Sequence, residues 1–361
     1  MSVFSHLEFD NHQQVVFISD EAVGLKAIIA VHNTNLGPSL GGCRMWPYAS
    51  DSDAIADVLR LSKGMTYKSA IAGLPLGGGK CVIIGDHRRQ KTPQLLRALG
   101  QQIENLSGSY ITAEDSGTCV ADMQIISQTT QYVSGVQENT LHKGDPSPST
   151  ALGVFVGIKA AIHYQLNTLD LSGLTIAVQG IGNVGFHLCQ YLKAAGANLI
   201  VADIFADNVN RAVSQLGAKA VPSNEIYSVD ADVFAPCAMG GSLNIESLSK
   251  MRATVIAGAA NNQLARPEVA KLLQQKGILY APDYVINAGG ILDIAYQRSG
   301  ASLAALNTHI ERIGDTLTEI FVRAEQSNTS TDLVANQLAE EIFQRPDLQT
   351  TNSTNNITIN L

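Results

Sequence analysis

The run Gly180-Ile181-Gly182-Asn183-Val184-Gly185 limits what this chain can become more than any other feature. It follows an extended, β-rich pentad, Thr175-Ile176-Ala177-Val178-Gln179, and opens a helical pattern at 184–195. Three spaced glycines alone say little, but a strand before them and a helix after them make the setting of a phosphate-binding turn. Gly180 permits the tight turn, Gly182 lets backbone approach a pyrophosphate, and Gly185 lets the helix pack close to the sheet. The first helical residues, Asn183 and Val184, then offer free N–H groups at the positive end of the helix dipole. Asp203 ends the following strand pattern, about twenty residues on, where a carboxylate binds the adenosine ribose hydroxyls and repels a 2′-phosphate. The plain alternatives are an ordinary turn for the glycines and a helix cap for Asp203. Strand, turn, helix and distal acid together favour a dinucleotide, and NAD over NADP.

Around this turn the pattern is regular. Strand signals at 174–179, 198–203, 232–235, 254–257 and 278–281 alternate with helical signals at 184–195, 206–216 and 267–276. Such alternation implies a parallel sheet wound on both faces with right-handed crossovers. A helix is expected at 151–165. A long helix carrying Ile310, Ile313, Leu317, Ile320, Phe321 and Ala324 on one face is expected to lead the chain back toward the first domain. Before residue 145 strands at 13–19, 25–32, 81–84 and 110–113 mix with helices at 52–65 and 120–130. Another helix opens at Thr92-Pro93, with Leu95, Leu96, Leu99, Ile103 and Leu106 on its face. Gly144-Asp145-Pro146-Ser147-Pro148-Ser149 is the strongest punctuation. The expected architecture is α/β: a substrate domain with a mixed sheet at 1–145, helices at about 330–361 packing back on it, and a Rossmann NAD-binding domain at 146–329. A cleft between the two is expected to hold the reaction.

Composition narrows the function. The 361 residues are 45% hydrophobic, enough to build sizeable cores. The balance of 24 basic against 32 acidic residues argues against nucleic acid or an anionic membrane surface as partner. The basic run His87-Arg88-Arg89-Gln90-Lys91 reads as a solvated loop. No apolar stretch of membrane-spanning length and no basic-then-apolar leader is visible, so a cytoplasmic enzyme is expected. Five cysteines without a Cys-x-x-Cys pair read as small core residues, and no metal site is expected from the cysteines or histidines. The Thr/Asn/Ser-rich tail from Gln349 is expected to fray.

Two lysines in the first half stand in apolar, glycine-rich segments poor in other charge: Lys68 in Gly64-Met65-Thr66-Tyr67-Lys68 and Lys80 in Gly73-Leu74-Pro75-Leu76-Gly77-Gly78-Gly79-Lys80. The second segment fails as a nucleotide P-loop, since Leu74 and Cys81 replace residues that motif needs. Its glycines can instead bring bare N–H groups against a small anion. If the two ammonium groups lie close, each disfavours the other's charge, so one lysine can hold a carboxylate while the other serves as a base. Asp115 follows the strand pattern Tyr110-Ile111-Thr112-Ala113. It reads either as a helix cap or as a carboxylate that takes protons from an amine.

These segments resemble a known family. Leu36-Gly37-Pro38-Ser39-Leu40-Gly41-Gly42, the two lysines, Glu114-Asp115, Pro146-Ser147-Pro148-Ser149-Thr150, the dinucleotide glycines, Ala260-Asn261-Asn262-Gln263 and Asp283-Tyr284-Val285-Ile286-Asn287-Ala288-Gly289-Gly290 are similar, in order, to the leucine/phenylalanine/valine amino acid dehydrogenases. The resemblance runs from about residue 10 to residue 340. It implies that Lys68 binds the substrate α-carboxylate with backbone help from Gly77 and Gly78, that Lys80 activates water, and that Asp115 handles amine protons. It places Thr150 and Asn262 near the nicotinamide and the substrate carboxylate, with Asn287 and Gly289–Gly290 completing the nicotinamide side. The implied reaction is reversible oxidative deamination of an L-amino acid to a 2-oxo acid and ammonia, with domain closure expelling water.

The family's glutamate-specific members hold the distal carboxylate with a lysine and a serine, and the matching positions here are Leu40 and Ile294, which cannot pair a charge. Leu40, Gly41, Met65, Ala113, Ile291 and Ile294 would instead line an apolar pocket. Small Ala113 and pliable Met65 leave room for a large side chain. Tryptophan is the substrate this reading puts first, phenylalanine or leucine next. A silent NAD-binding sensor would need only the glycines and Asp203, so Lys68, Lys80 and Asp115 together favour chemistry. A hydroxy-acid oxidoreductase would call for a His–Arg pair that is not seen. A homo-oligomer, dimer or higher, is expected, with Val15, Val16 and Phe17 as a possible intersubunit edge.

Overall fold

Side-chain alternation along the strands decides how the first half of the chain is layered. The computed structural model describes residues 3–136 and 145–344. In β1 (Gln14–Asp20), β2 (Leu25–Asn33), β3 (Ser39–Trp46), β4 (Gly77–Ile84) and β5 (Tyr110–Glu114) successive side chains point to opposite faces. Ala27, Ile29, Val31, Cys43, Met45, Cys81, Ile83 and Tyr110 meet one core with α2 (Pro93–Glu104) and α3 (Val120–Ile126). Ile28, Ala30 and Val82 turn the other way, onto Val58 and Leu59 of α1 (Asp51–Ile71). The sheet order is β1-β2-β4-β3-β5, with antiparallel pairing at β1/β2 and β2/β4 and parallel pairing at β4/β3 and β3/β5. This is the expected mixed sheet.

The second sheet is wholly parallel and runs β11-β10-β9-β6-β7-β8. Its strands are β6 (Thr175–Gln179), β7 (Asn198–Ala202), β8 (Lys219–Ala220), β9 (Val233–Pro236), β10 (Val255–Ile256) and β11 (Leu279–Tyr280). The order reverses between β6 and β9, and in doubly wound sheets ligands bind outside the strand ends at that reversal. Around the sheet lie α4 (Ser147–Leu166), α5 (Asn183–Ala194), α6 (Ala206–Leu216), α7 (Ile245–Lys250), α8 (Glu268–Gln275), α9 (Asp283–Ile286) and α11 (Leu303–Ser327). Two more helices, α10 (Gly289–Ser299) and α12 (Thr331–Phe343), complete the order.

Chain contacts divide the protein into two units. Of the described residues, 3–136 with Ile294–Ala301 and those from Ala339 onward form one, and Asp145–Asp293 with Ser302–Leu338 the other. The long helix α11 stays in the second unit and packs on α4, so it does not return the chain to the first as the sequence had suggested. That passage belongs to α10 and α12, each of which begins in one unit and ends in the other.

Other elements differ from expectation for local reasons. Helix α1 runs on past Met65 to Ile71, because Thr66, Ser69 and Ala70 are small enough to pack it against β4. Strand β3, hidden by the glycines in its first half, was not expected. Helix α4 opens at Ser147 with Pro148 in its first turn, earlier than residue 151. Cys43, Cys81 and Cys189 are buried, but Cys119 is exposed ahead of α3. The Thr/Asn-rich tail lies outside the described residues.

Candidate active site

In the first unit the geometry begins with period two. Since Cys81 faces the α2 core and Val82 faces α1, Lys80 also faces α1. By the same count Leu40, Gly42 and Arg44 of β3 share that face, and so do Ala113 and then Asp115 beyond β5. A Cβ on Gly42 would lie 2.7 Å from the Cβ of Asp115, so glycine there lets the aspartate sit against the sheet. Three adjacent strands thereby bring Leu40, Gly78, Lys80, Ala113 and Asp115 together.

Lys80 is 6% exposed and its Nζ is paired with Asp115 Oδ2. The same oxygen lies 3.3 Å from Arg44 Nε. Arg44 in turn donates from Nη1 to Asp57 Oδ2 at 2.8 Å, and Asp57 also accepts from the Tyr48 hydroxyl at 2.6 Å and from Arg60 Nη2 at 3.0 Å. Burial, the largest single influence on Asp115, would raise its carboxyl, but the charges of Lys80 and Arg44 outweigh it and hold the group at about 2. Burial likewise works to raise Asp57, and the Tyr48 hydroxyl with the two guanidinium groups reverses it to below the usual range. Asp115 is therefore no helix cap; the cap of α3 is Cys119.

The glycines before Lys80 lie in β4 rather than in a loop. The N–H of Gly77 donates to Pro38 O at 2.9 Å, so it is not free for a carboxylate. A Cβ on Gly78 would lie 2.0 Å from the backbone nitrogen of Thr66, and one on Gly41 1.7 Å from Gly79 O. Glycine here answers close packing of α1 on β4 and of β3 on its neighbours. The close fit ties the helix bearing Met65 and Lys68 to the strand bearing Lys80. Met65 and Lys68 are both half-buried on α1. Ile294 belongs to the first unit and Ile291, 5% exposed, to the second.

In the second unit the turn after β6 has the geometry a dinucleotide needs. Gly180 adopts φ +91°, and a Cβ there would meet Ala238 beyond β9, at the reversal of strand order. A Cβ on Gly185 would lie 2.0 Å from Gly180 O, while one on Gly182 would enter open space. Helix α5 starts at Asn183 and Val184 with no side-chain cap, leaving its first N–H groups to a ligand. Asp203 accepts from Ile181 N at 2.6 Å, from Phe205 N at 2.8 Å and from Asn208 Nδ2 at 3.2 Å, so the acid braces the turn itself. Open backbone at Gly182, uncapped N–H groups and an acid beside them suit the pyrophosphate and ribose of such a cofactor.

The remaining candidates of this unit are held from behind. Asn287 donates to Ala259 O at 3.0 Å and to Asn261 Oδ1 at 2.7 Å, fixing the loop in which Asn262 takes the left-handed φ of +51°. Gln263 and Asp283 pin the same loop, Gln263 Nε2 onto Gly258 O and Ala260 O and Gln263 N onto Asp283 Oδ2. Thr150 donates to Pro146 O, and Gly289 and Gly290 have no room for a Cβ against Ser149 and Thr150. Arg44, Asp57 and Tyr48 were not candidates from sequence. The available signal was one charge, Arg44, between Cys43 and Met45 in an otherwise uncharged strand.

Residues 12–132 match the family model described as Glu/Leu/Phe/Val dehydrogenase, dimerisation domain, and residues 200–340 the model of Glutamate/Leucine/Phenylalanine/Valine dehydrogenase. The chain belongs to this family. Leucine dehydrogenase of Geobacillus stearothermophilus is 50% identical over 341 residues, covering 94% of this chain and 93% of that protein. Phenylalanine dehydrogenase of Caldalkalibacillus thermarum is 44% identical over 350 residues, 96% of this chain and 95% of that protein. The crystal structure of L-tryptophan dehydrogenase from Nostoc punctiforme superposes with a TM-score of 0.83 at 42% identity, over 93% of this chain and 97% of that one. This amino acid dehydrogenase is thus an oxidoreductase of a family that uses nicotinamide cofactors, and a silent sensor is not favoured. No helix among its described residues is long and apolar enough to cross a membrane.

Proposed function

We propose that this amino acid dehydrogenase uses NAD to deaminate a large apolar L-amino acid, reversibly, to its 2-oxo acid and ammonia. The observation that carries the reading is the buried Lys80–Asp115 pair on a strand face cleared of side chains by glycine. Bound at Gly180–Gly185, the nicotinamide cofactor would take up the hydride that leaves the substrate Cα. Lys68 would hold the α-carboxylate, without the N–H of Gly77, which is already committed. Asp115, an anion throughout the working range, would receive the amino group and so loosen its grip on Lys80. Lys80, its own proton passed to solvent once the substrate cation takes its place at Asp115, would then draw a proton from water as the water oxygen bonds to the iminium carbon. Collapse of the carbinolamine releases ammonia and the oxo acid. Thr150, Asn262 and Asn287 are assigned to the nicotinamide side. The acid at Asp203 supports NAD over NADP, since a 2′-phosphate would meet its charge.

Leucine moves ahead of tryptophan in this reading. Supporting it are the 50% identity to a leucine dehydrogenase against 42% for the tryptophan enzyme, and two β-branched residues, Ile291 and Ile294, that take up width an indole needs. The test is NADH oxidation with ammonia across a panel of 2-oxo acids. The branched-chain oxo acid should lead by about 10–200-fold over aromatic ones. 2-Oxoglutarate should be turned over at least ~100-fold more slowly, because its carboxylate would face Leu40 unpaired. K80A should lose turnover and keep NADH binding. Oxidation without ammonia, or full activity in K80A, would overturn the assignment. A homo-oligomer is also proposed, joined through the exposed edge of β1, where Phe17 is 55% exposed.

A further inference from the structure

We propose that Arg44 is a positioning residue for Asp115, held by Asp57 and Tyr48 so that the carboxylate keeps a cationic partner while Lys80 gives up its proton. The inference rests on the roles given above to Lys80 and Asp115. Its own evidence is the arrangement on the α1 face of the first sheet. One oxygen, Asp115 Oδ2, is shared by Lys80 Nζ and Arg44 Nε, the latter at 3.3 Å. Lys80 is to act as a base, so for part of the cycle it cannot pay back the Asp115 charge. A carboxylate whose side chain is only 20% exposed would then be left unpaired, which is strongly unfavourable. A guanidinium never deprotonates in proteins and so remains a constant partner.

The residue type and its supports fit this task. Arg44 spans two acids with different nitrogens, Nε toward Asp115 and Nη1 toward Asp57 at 2.8 Å. A lysine's three donors all leave from one nitrogen, so it could meet both acids only if they converged on one point, whereas the guanidinium reaches them from two separate nitrogens. Asp57 is itself fixed by the Tyr48 hydroxyl at 2.6 Å and by Arg60 at 3.0 Å. Strand period then places Arg44 two residues from Gly42, the position whose missing Cβ admits Asp115. The charged and titratable groups facing Asp115 are Lys80 of β4 and Arg44 of β3. Asp57 and Arg60 of α1 and Tyr48 lie behind Arg44, and the buried Cys43, Cys81 and Tyr110 share the same field.

The test compares R44Q, R44K and D57N with the wild-type enzyme in leucine deamination at a series of pH values. NADH binding and thermal stability are measured alongside. R44Q should lower kcat by about 10–100-fold, the scale of a misplaced catalytic group, with KM for NAD changed less than two-fold. Its acid limb should move up by about one pH unit, since a cation beside the reacting pair is gone. R44K should restore the limb but not the full kcat, and D57N should reproduce a weaker loss of about 3–10-fold, the scale of partial misalignment. Wild-type kcat and pH profile in R44Q, or equal loss in R44Q and R44K with unmoved limbs, would overturn the inference. Should R44Q fail to fold, D57N with wild-type kcat would do so. Absence of deamination by the wild-type protein would instead sink the proposed function.

Discussion

With Lys80 and Arg44 both on its carboxylate, Asp115 titrates at about 2, and this has a consequence that needs no substrate. The folded value lies below the ordinary carboxylate value near 4, so the unfolded chain takes up this proton first as pH falls. The stability contributed is present above about pH 4 and is lost as pH drops toward 2, and it amounts to about 2 kcal/mol. Urea titrations of the wild type and D115N should therefore differ by at least that much at pH 5 and draw together near pH 2. A constant gap would mean that Asp115 keeps its proton-binding character on folding. Sequence alone singled out Lys80, an isolated lysine in a glycine-rich apolar run, and Asp115, an acid just past a strand pattern. It did not lead to Arg44, whose importance depends on which strand neighbours which.

At the scale of elements, the clearest test concerns how α12 ends on the first unit. Phe343 packs edge-on against His32 and Tyr67, and the Tyr67 hydroxyl donates to Glu340 at 2.6 Å. His32 is 4% exposed, its Nδ1 bonded to Thr66 Oγ1, and burial followed by the charge of His12 pushes its imidazole down to about 4. Here the folded value is below the unfolded 6.5, so stability is full above pH 6.5 and declines as pH falls to 4, by about 3 kcal/mol. H32Q should flatten that part of the stability profile relative to wild type. A profile of unchanged slope would remove His32 from the account. Elements with clean periodicity, α2, β6, α5, β7 and α6, could be read from sequence to within a residue or two. Strand β3 could not, because four of its eight positions, Ser39, Gly41, Gly42 and Arg44, carry no strand signal and are explained only by the β4 and β5 backbones beside them.

For the whole molecule, the edge of the first sheet is the feature with a measurable outcome. Among the described residues β1 pairs only with β2, and Phe17 stands 55% exposed on it, in the segment matched by a model described as a dimerisation domain. Unpaired apolar edges are templates for joining another chain. F17K should lower the mass in solution by light scattering. A mass equal to wild type would place any interface elsewhere. The split into two units near residue 145 was legible because two different grammars are written in the chain, largely alternating strands and helices after residue 145 and mixed elements before it. The crossings at α10 and α12 were not, since neither carries a composition change where it leaves one unit for the other.

The glycines of β3 and β4 also set where change can be tolerated. At Gly41, Gly42, Gly77, Gly78 and Gly79 even one added methyl would strike a neighbour at 1.7–2.7 Å, so the platform beneath Lys80 and Asp115 has no mutational freedom. Divergence toward new amino acids, natural or by laboratory selection, is therefore confined to the rim. Among the residues proposed for the substrate pocket, Leu40, Met65 and Ala113 of the first unit are the positions to randomise, and libraries that spare the platform should keep far more folded members.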